Sequence, residues 1–200
     1  MRRFVIVGRT ARASAEVSLD DLAGTSGRLD VLVRCVRAAL LVSHGLRRDV
    51  VVYLVLLGGS APRTVRIDGA TAKFIRPDER PLATLLKKTL ARVERDDAGF
   101  VEVKPGIAVA CAGLEAVLAE VQGSVVFVLE EGAPDVRAVG AELAGDATFV
   151  IGDHLGFDEA TRERLGAVGA RPVAVGPTSL HSDDVVTLVS YEIDRRQPLA

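Results

Sequence analysis

Apolar and polar positions along the chain alternate between two rhythms. Phe4–Val7 and Asp49–Leu57 (DVVVYLVLL) are apolar throughout, the pattern of strands buried on both faces. Arg28–His44 places Leu29, Leu32, Val36 and Leu40 at helical spacing, so a long helix is expected there, with Asp30 and Arg34 one turn apart and able to pair. Gly45 would cap its end. Ser18–Asp21 resembles a capping box that starts a short helical turn, and Gly24–Gly27 reads as a loop. Thr64–Ile67 and Ala72–Ile75 read as short antiparallel strands joined through Asp68-Gly69. A helix from about Arg80 to Arg95 follows, with Pro81 in its first turn.

The second half repeats the alternation. Strands are predicted at Gly106–Ala110, Ser124–Leu129, Thr148–Ile151 and Pro172–Val175. Helices are predicted at Leu114–Val121, Asp158–Val168 and Asp183–Arg195, the last with Ser182 as N-cap, and a loop with a short helix at Ala133–Ala144. Strands alternating with helices imply an α/β fold, a mostly parallel sheet flanked by helices on both faces. With no linker and no repeat, residues 1–200 read as a single domain.

Composition narrows the picture. No apolar run approaches a membrane span, and the N-terminal MRRFVIVG lacks the apolar core of a signal peptide, which together predict a cytoplasmic protein. Cys35 and Cys111 lie in apolar stretches without metal spacing and read as reduced thiols. Charge is divided along the chain. Residues 1–100 hold 18 Lys/Arg against 11 Asp/Glu, whereas residues 101–200 hold 7 against 16. The basic excess is mostly arginine, whose planar fork suits phosphate, so a polyanion contacted by the first half is one reading. Charges compensated across a solvated surface are the other.

Chemistry-bearing motifs are few. There is no phosphate-binding P-loop, no dinucleotide fingerprint, no zinc-protease helix and no nucleophile elbow. Gly58-Gly59-Ser60 could cradle a phosphate, but reads better as a turn. Asp153-His154 with Ser179 or Ser182 invites a triad reading that no elbow supports, and His154, His181 and Asp183 are too irregularly spaced to predict a metal site. The stretch Phe149–Tyr191 is more informative. Two strands in it end in glycine-bearing loops, Gly-Asp-His-Leu-Gly and Gly-Pro-Thr-Ser-Leu, each before a helix. Such loops lie at the carboxyl ends of sheet strands, where ligands bind. Gly152, Gly156 and Gly176 permit close backbone approach, and Leu129, Ile151, Leu155, Val175 and Leu180 would give apolar walls.

Ser18–Val36, Ser43–Leu56, Arg76–Pro81 (RPDERP), Val150–Gly156 (VIGDHLG) and Val175–Asp184 (VGPTSLHSDD) together resemble one family, the TrmY-type tRNA pseudouridine N1-methyltransferases of the SPOUT superfamily. The resemblance runs nearly end to end. It implies a SPOUT-like α/β fold with a C-terminal deep trefoil knot, a homodimer, S-adenosylmethionine as methyl donor, and methylation of N1 of pseudouridine 54 in the tRNA T-arm. It places cofactor contacts on Leu129, Gly152, Val175, Gly176, Pro177, Thr178, Ser179, Leu180 and Val185. Residues 1–100 would face RNA and residues 101–200 would hold the cofactor. Val185 stands where the family usually has Cys, and Asp183-Asp184 where it tends to have Asn-His, which bears on substrate identity more than on chemistry. Asp78 is the candidate for orienting or deprotonating the base, with a helix N-cap as the plainer reading. Arg28 is a candidate for gripping phosphate or base, and Asp30 for catalysis or, more plainly, for pairing with Arg34. A pseudouridine in another RNA such as rRNA, and a catalytically silent RNA-binding relative, are the competing readings.

Overall fold

The structure, a computed structural model, describes residues 1–92 and 99–196. In chain order it contains β1 (Arg2–Arg12), α1 (Leu22–Thr25), α2 (Leu29–Leu40), β2 (Leu41–Val42), β3 (Gly45–Leu46), β4 (Val50–Gly58), β5 (Arg63–Asp68), α3 (Glu79–Leu90), β6 (Val101–Lys104), β7 (Ile107–Ala110), α4 (Leu114–Glu120) and β8 (Val125–Leu129). A 3-10 segment (Val136–Ala144), β9 (Ala147–Gly152), α5 (Glu159–Ala167), β10 (Arg171–Val173) and α6 (Ser182–Asp194) complete it. The eight long strands form one sheet in the order β10-β8-β9-β1-β4-β5-β7-β6.

The expectation of a mostly parallel sheet holds in part. From β10 to β4 every pairing is parallel, but β4-β5, β5-β7 and β7-β6 are antiparallel. Connection length explains the change. β1 returns to β4 through α2, a crossover that permits parallel pairing, whereas only residues 59–62 join β4 to β5, enough for a reversal and no more. The expected hairpin between Thr64–Ile67 and Ala72–Ile75 does not form. Both edges of β5 are taken, by β4 and by β7, so residues 72–75 have no strand to pair with.

β1 and β4 are buried on both faces, as their unbroken apolar runs require. On one face Phe4, Phe127 and Phe149 stack in a row, with ring centroids 5.7 Å and 5.4 Å apart, beneath α2, α3 and α6. On the other, Val5, Val7 and Val150 pack under Leu114, Val117 and Leu165 of α4 and α5. Each fully buried Leu of α2 contributes about 1.5–3 kcal/mol, and Leu29, Leu32 and Leu40 are all fully buried. At Gly27, φ is +65° and a Cβ would sit 1.8 Å from the Thr10 carbonyl, so only glycine lets the chain enter α2 this close to β1.

Several boundaries differ from those expected. α2 stops at Leu40 because Leu41 turns extended (φ −92°, ψ 131°) into the small β2–β3 hairpin, so Gly45 is a strand residue and not a helix cap. The short turn α1 is capped by Asp21, which accepts from the Gly24 N–H, so Ser18 does not cap it and Gly24 is helical. α3 begins at Glu79 and ends at Leu90, and the last part of the helix predicted to Arg95 lies outside the described residues. Ser182 is the first residue of α6 with His181 at the cap position, because its hydroxyl is committed elsewhere. The far end of α6 is tied down by charge. Buried Arg2 donates to Asp49 at 2.9 Å and to Asp194 at 2.8 Å, and Arg47 donates to Asp194 at 2.9 Å. Burial pushes the Asp194 carboxyl up, but the two guanidiniums outweigh it and hold it below the usual carboxylate range.

Candidate functional site

The parallel strands β8, β9 and β10 are neighbours, so their carboxyl ends converge. A cleft of about 860 Å³ opens there. The loops after the three strands form its floor, and the N-terminal turns of α2 and α6 close its sides. Backbone ties hold the loops. The Glu130 N–H donates to Val173, Ala174 N–H to Pro134, and Val136 N–H to Ala174, at 3.0, 2.9 and 2.7 Å. Ser182 Oγ donates to the Gly152 carbonyl at 2.8 Å, joining α6 to the end of β9.

The Gly-Asp-His-Leu-Gly loop folds around Asp153, which is buried. Its carboxylate accepts from the Arg9 N–H at 2.8 Å and the Leu155 N–H at 2.9 Å, and its own N–H donates to Val7. A triad built on Asp153 is therefore excluded: both oxygens serve backbone, His154 is exposed, and the Ser182 hydroxyl is engaged with Gly152. Gly156 sits at φ +66°, which brings its backbone against Gly152, where an added Cβ would lie 3.0 Å from the Gly156 Cα. Among the described residues no group of His, Cys, Asp or Glu is arranged to hold a metal ion.

The cleft brings together Leu129, Gly152, Val175, Gly176, Thr178, Ser179, Leu180 and Val185, with Arg28 at its side. Pro177 does not line it, nor do Asp30 and Asp78. Asp30 is buried beneath the site. It accepts from Arg28 Nε at 3.0 Å and from Arg34 at 2.9 Å, so it pairs with Arg34 as its spacing suggests and orients a second arginine as well. Burial raises the Asp30 pKa, but hydrogen bonds from both arginines overcome this and hold it below the usual range. Arg28 adopts a left-handed backbone (φ 68°), and its charge is reinforced by the hydrogen bond to Asp30. Asp78 occupies the N-cap position of α3 without making a capping hydrogen bond, and is exposed. The next residue, Glu79, reaches within 3.9 Å of Arg34, so the head of α3 borders the arginine side of the cleft.

Val31, Glu130 and Glu131 also line the cleft and were not singled out from sequence; Arg34 was singled out only as the partner of Asp30. Val31 and Arg34 follow Arg28 along one face of α2. Glu130 and Glu131 follow the end of β8, where the loop rule applied to β9 and β10 would have found them. Glu130 is paired with Arg162, which also lies 5.8 Å from the centre of the Phe157 ring. Glu131 and Asp184 line the cleft without an ion-pair or hydrogen-bond partner among the described residues. Asp183, in contrast, turns toward Arg34, 3.7 Å away.

Comparison with known proteins places the chain. Residues 1–198 match the family described as "Putative SAM-dependent RNA methyltransferase". A protein of Methanosarcina acetivorans named tRNA (pseudouridine(54)-N(1))-methyltransferase is 40% identical over 200 residues, spanning 98% of this chain and 92% of its own length. One of the same name from Halobacterium salinarum is 45% identical over 195 residues, spanning 97% and 96%. The chain belongs to the tRNA pseudouridine(54) N1-methyltransferase family. The fold agrees. The crystal structure of Archaeoglobus fulgidus Nep1 bound to S-adenosylhomocysteine superposes with a TM-score of 0.68 over 97% of each chain, at 19% identity. This family member therefore carries a mixed α/β fold with a large central sheet flanked by helices.

The cleft fits an S-adenosylmethionine molecule. Its lining combines the apolar side chains of Leu129, Ile151, Val175 and Val185 with glycine-bearing loops, the mix of surfaces that a ligand with an apolar ring and polar groups needs. The unpaired carboxylates of Glu131 and Asp184 suit a ligand that carries ammonium and sulfonium charge.

Proposed function

We propose that this chain is an S-adenosylmethionine-dependent methyltransferase that methylates N1 of pseudouridine 54 in the tRNA T-loop. Membership of the family over nearly the whole chain carries the reading, and the cleft at the ends of β8, β9 and β10 supplies a site for it.

The bound cofactor supplies an electrophilic methyl group on a sulfonium. The residues that would hold it are Leu129, Gly152, Val175, Gly176, Thr178, Ser179, Leu180 and Val185, with Pro177 stiffening the last loop from outside. Arg28 and Arg34, fixed by Asp30, would hold the incoming nucleotide through its phosphate or its carbonyl oxygens. Positioning dominates such a reaction, because the ring nitrogen must lie in line with the methyl group. The N1 proton must leave as that nitrogen is methylated, so a side chain has to accept it. Asp78 takes that proton in our reading, which requires the extruded nucleotide to lie across the head of α3.

Residues 1–200 would act as one domain, RNA on the first half and cofactor on the second. Charge placement supports this division. Among the described residues, Arg12, Arg37, Lys73, Arg76 and Lys88 of the first half are exposed and without partners, whereas five of the seven cations of the second half, Arg137, Arg162, Arg171, Arg195 and Arg196, are ion-paired. A knotted C-terminal segment is the second part of the proposal, supported by the bracketing of Ala174 between Pro134 and Val136 and by the Ser182–Gly152 bond. A homodimer is the third, supported by Leu188 and Tyr191, which stay exposed on the face of α6 that continues from Asp184. A cytoplasmic location fits a tRNA substrate, and no helix among the described residues is long and apolar enough to cross a membrane.

The test is transfer of labelled methyl from S-adenosylmethionine to two T-arm stem-loops that differ only in pseudouridine or uridine at position 54. Labelling of the pseudouridine RNA alone is expected. Equal labelling of both, or of neither, would remove the proposal.

A further inference from the structure

Between β5 and α3 the chain presents an aromatic ring with no ring, cation or core contact among the described residues. The sequence holds 6 Phe. Five are engaged: Phe4, Phe127 and Phe149 stack together, Phe100 lies 5.2 Å from the Arg66 guanidinium, and Phe157 lies 5.8 Å from that of Arg162. Phe74 is 87% exposed. It is also held in the left-handed region, at φ 59°, an uncommon and costly state for a bulky L-residue.

The neighbours enforce this conformation. Ala72 is buried, its N–H bonded to the Asp68 carbonyl at 2.8 Å, and Gly106 passes so close that a Cβ there would lie 2.3 Å from the Ala72 nitrogen. Ile75 packs against the main core. The backbone is thus pinned on both sides of Phe74 and the ring is turned outward. Such local strain persists where the surrounding structure imposes it, and it clusters at binding sites. Lys73 and Arg76 flank the ring, exposed and without partners among the described residues. The segment then runs into Asp78 and Glu79, and Glu79 meets the cleft residue Arg34 at 3.9 Å.

We infer that Phe74 is a stacking platform for an unpaired base of the substrate RNA, next to the nucleotide that enters the cleft, with Lys73 and Arg76 gripping the adjoining phosphates. A lone aromatic face between cations is the chemistry by which proteins hold single-stranded nucleic acid. A protein partner fits less well, because the ring is a single apolar group amid Lys73, Arg76 and Asp78 rather than part of a patch. The inference rests on the RNA-methyltransferase reading given above.

The test compares Phe74→Ala, Phe74→Leu and Phe74→Trp in the full chain. The sequence has no Trp, so the last is a single-tryptophan reporter, excited selectively at wavelengths the two tyrosines do not absorb. Phe74→Ala and Phe74→Leu are expected to weaken binding of a pseudouridine-bearing T-arm RNA on the order of tenfold, with S-adenosylmethionine affinity and sedimentation unchanged. Phe74→Trp should keep wild-type affinity, and its emission should be quenched as that RNA is added. RNA affinity unchanged in Phe74→Ala, or Phe74→Trp emission unmoved at saturating RNA, overturns the inference while leaving the methyltransferase reading intact. A shift in sedimentation of Phe74→Ala also overturns it, by making the ring a protein contact. Wild-type protein that neither binds nor methylates the RNA overturns both.

Discussion

Asp30→Asn separates a positioning role from a catalytic one. The Asp30 side chain is 7% exposed and holds Arg28 and Arg34, whose side chains are 41% and 35% exposed. Removing one partner of a fully buried ion pair costs about 3–5 kcal/mol. Here both guanidiniums can rehydrate and the amide still accepts one hydrogen bond, so about 1–2 kcal/mol is expected. With a urea slope of about 2 kcal/mol/M, the unfolding midpoint should fall by roughly 0.5–1 M with the slope unchanged. The Asp30 pKa is lowered in the folded state, so its ion pairs contribute stability above the ordinary value of 3.8 and lose it as pH falls below that. The variant should lose this part of the acid dependence. In a steady-state methylation assay, loosened arginines should raise the KM for RNA severalfold with kcat changed by less than about tenfold. A general base at this position would instead cost about 10²–10⁴ in kcat. An unchanged midpoint together with a kcat loss of that size would refute the reasoning.

Three further outcomes follow from the geometry. Gly152→Ala places a Cβ 3.0 Å from Gly156, so the cleft floor must shift, and affinity for S-adenosylmethionine by calorimetry should drop by about tenfold while the fold is kept. Asp78→Asn should lower kcat by about 10² with little change in RNA affinity, and an unchanged kcat would remove Asp78 from the mechanism. Asp194→Ala leaves Arg47 without its carboxylate and Arg2 with Asp49 and the Ser190 carbonyl, and should cost about 2 kcal/mol in denaturant unfolding, below the fully buried range because Asp194 is 35% exposed. That loss should be largest above pH 3.8 and fade below it, where protonation already weakens the wild type.

Local pattern made parts of this molecule legible. The unbroken apolar runs of β1 and β4 announce strands buried on both faces. The glycine loops after β9 and β10 mark the cleft, because close backbone approach must be written in glycine. The Asp30–Arg34 spacing is a helix-turn pair and was found as one. What depended on distant partners stayed hidden. Ala72–Ile75 has strand-like residues, but β4 and β7 occupy both edges of β5. Ser182 has the chemistry of an N-cap, yet its hydroxyl faces a carbonyl 30 residues away. Glu131 carries no signal in sequence until the fold brings it into the cleft beside Asp184. Phe74 falls in the expected strand Ala72–Ile75, and in the fold it is exposed between the buried Ala72 and the partly buried Ile75.

The central claim is that the cleft directs a methyl group to N1 of pseudouridine 54. Nucleoside mass spectrometry of tRNA incubated with the protein and S-adenosylmethionine, with position read from T-arm fragments, tests it most directly. The account predicts N1-methylpseudouridine at position 54 and at no other site, and none when the tRNA carries uridine there. Methylation of uridine-only tRNA, or at a different nucleotide, would contradict it.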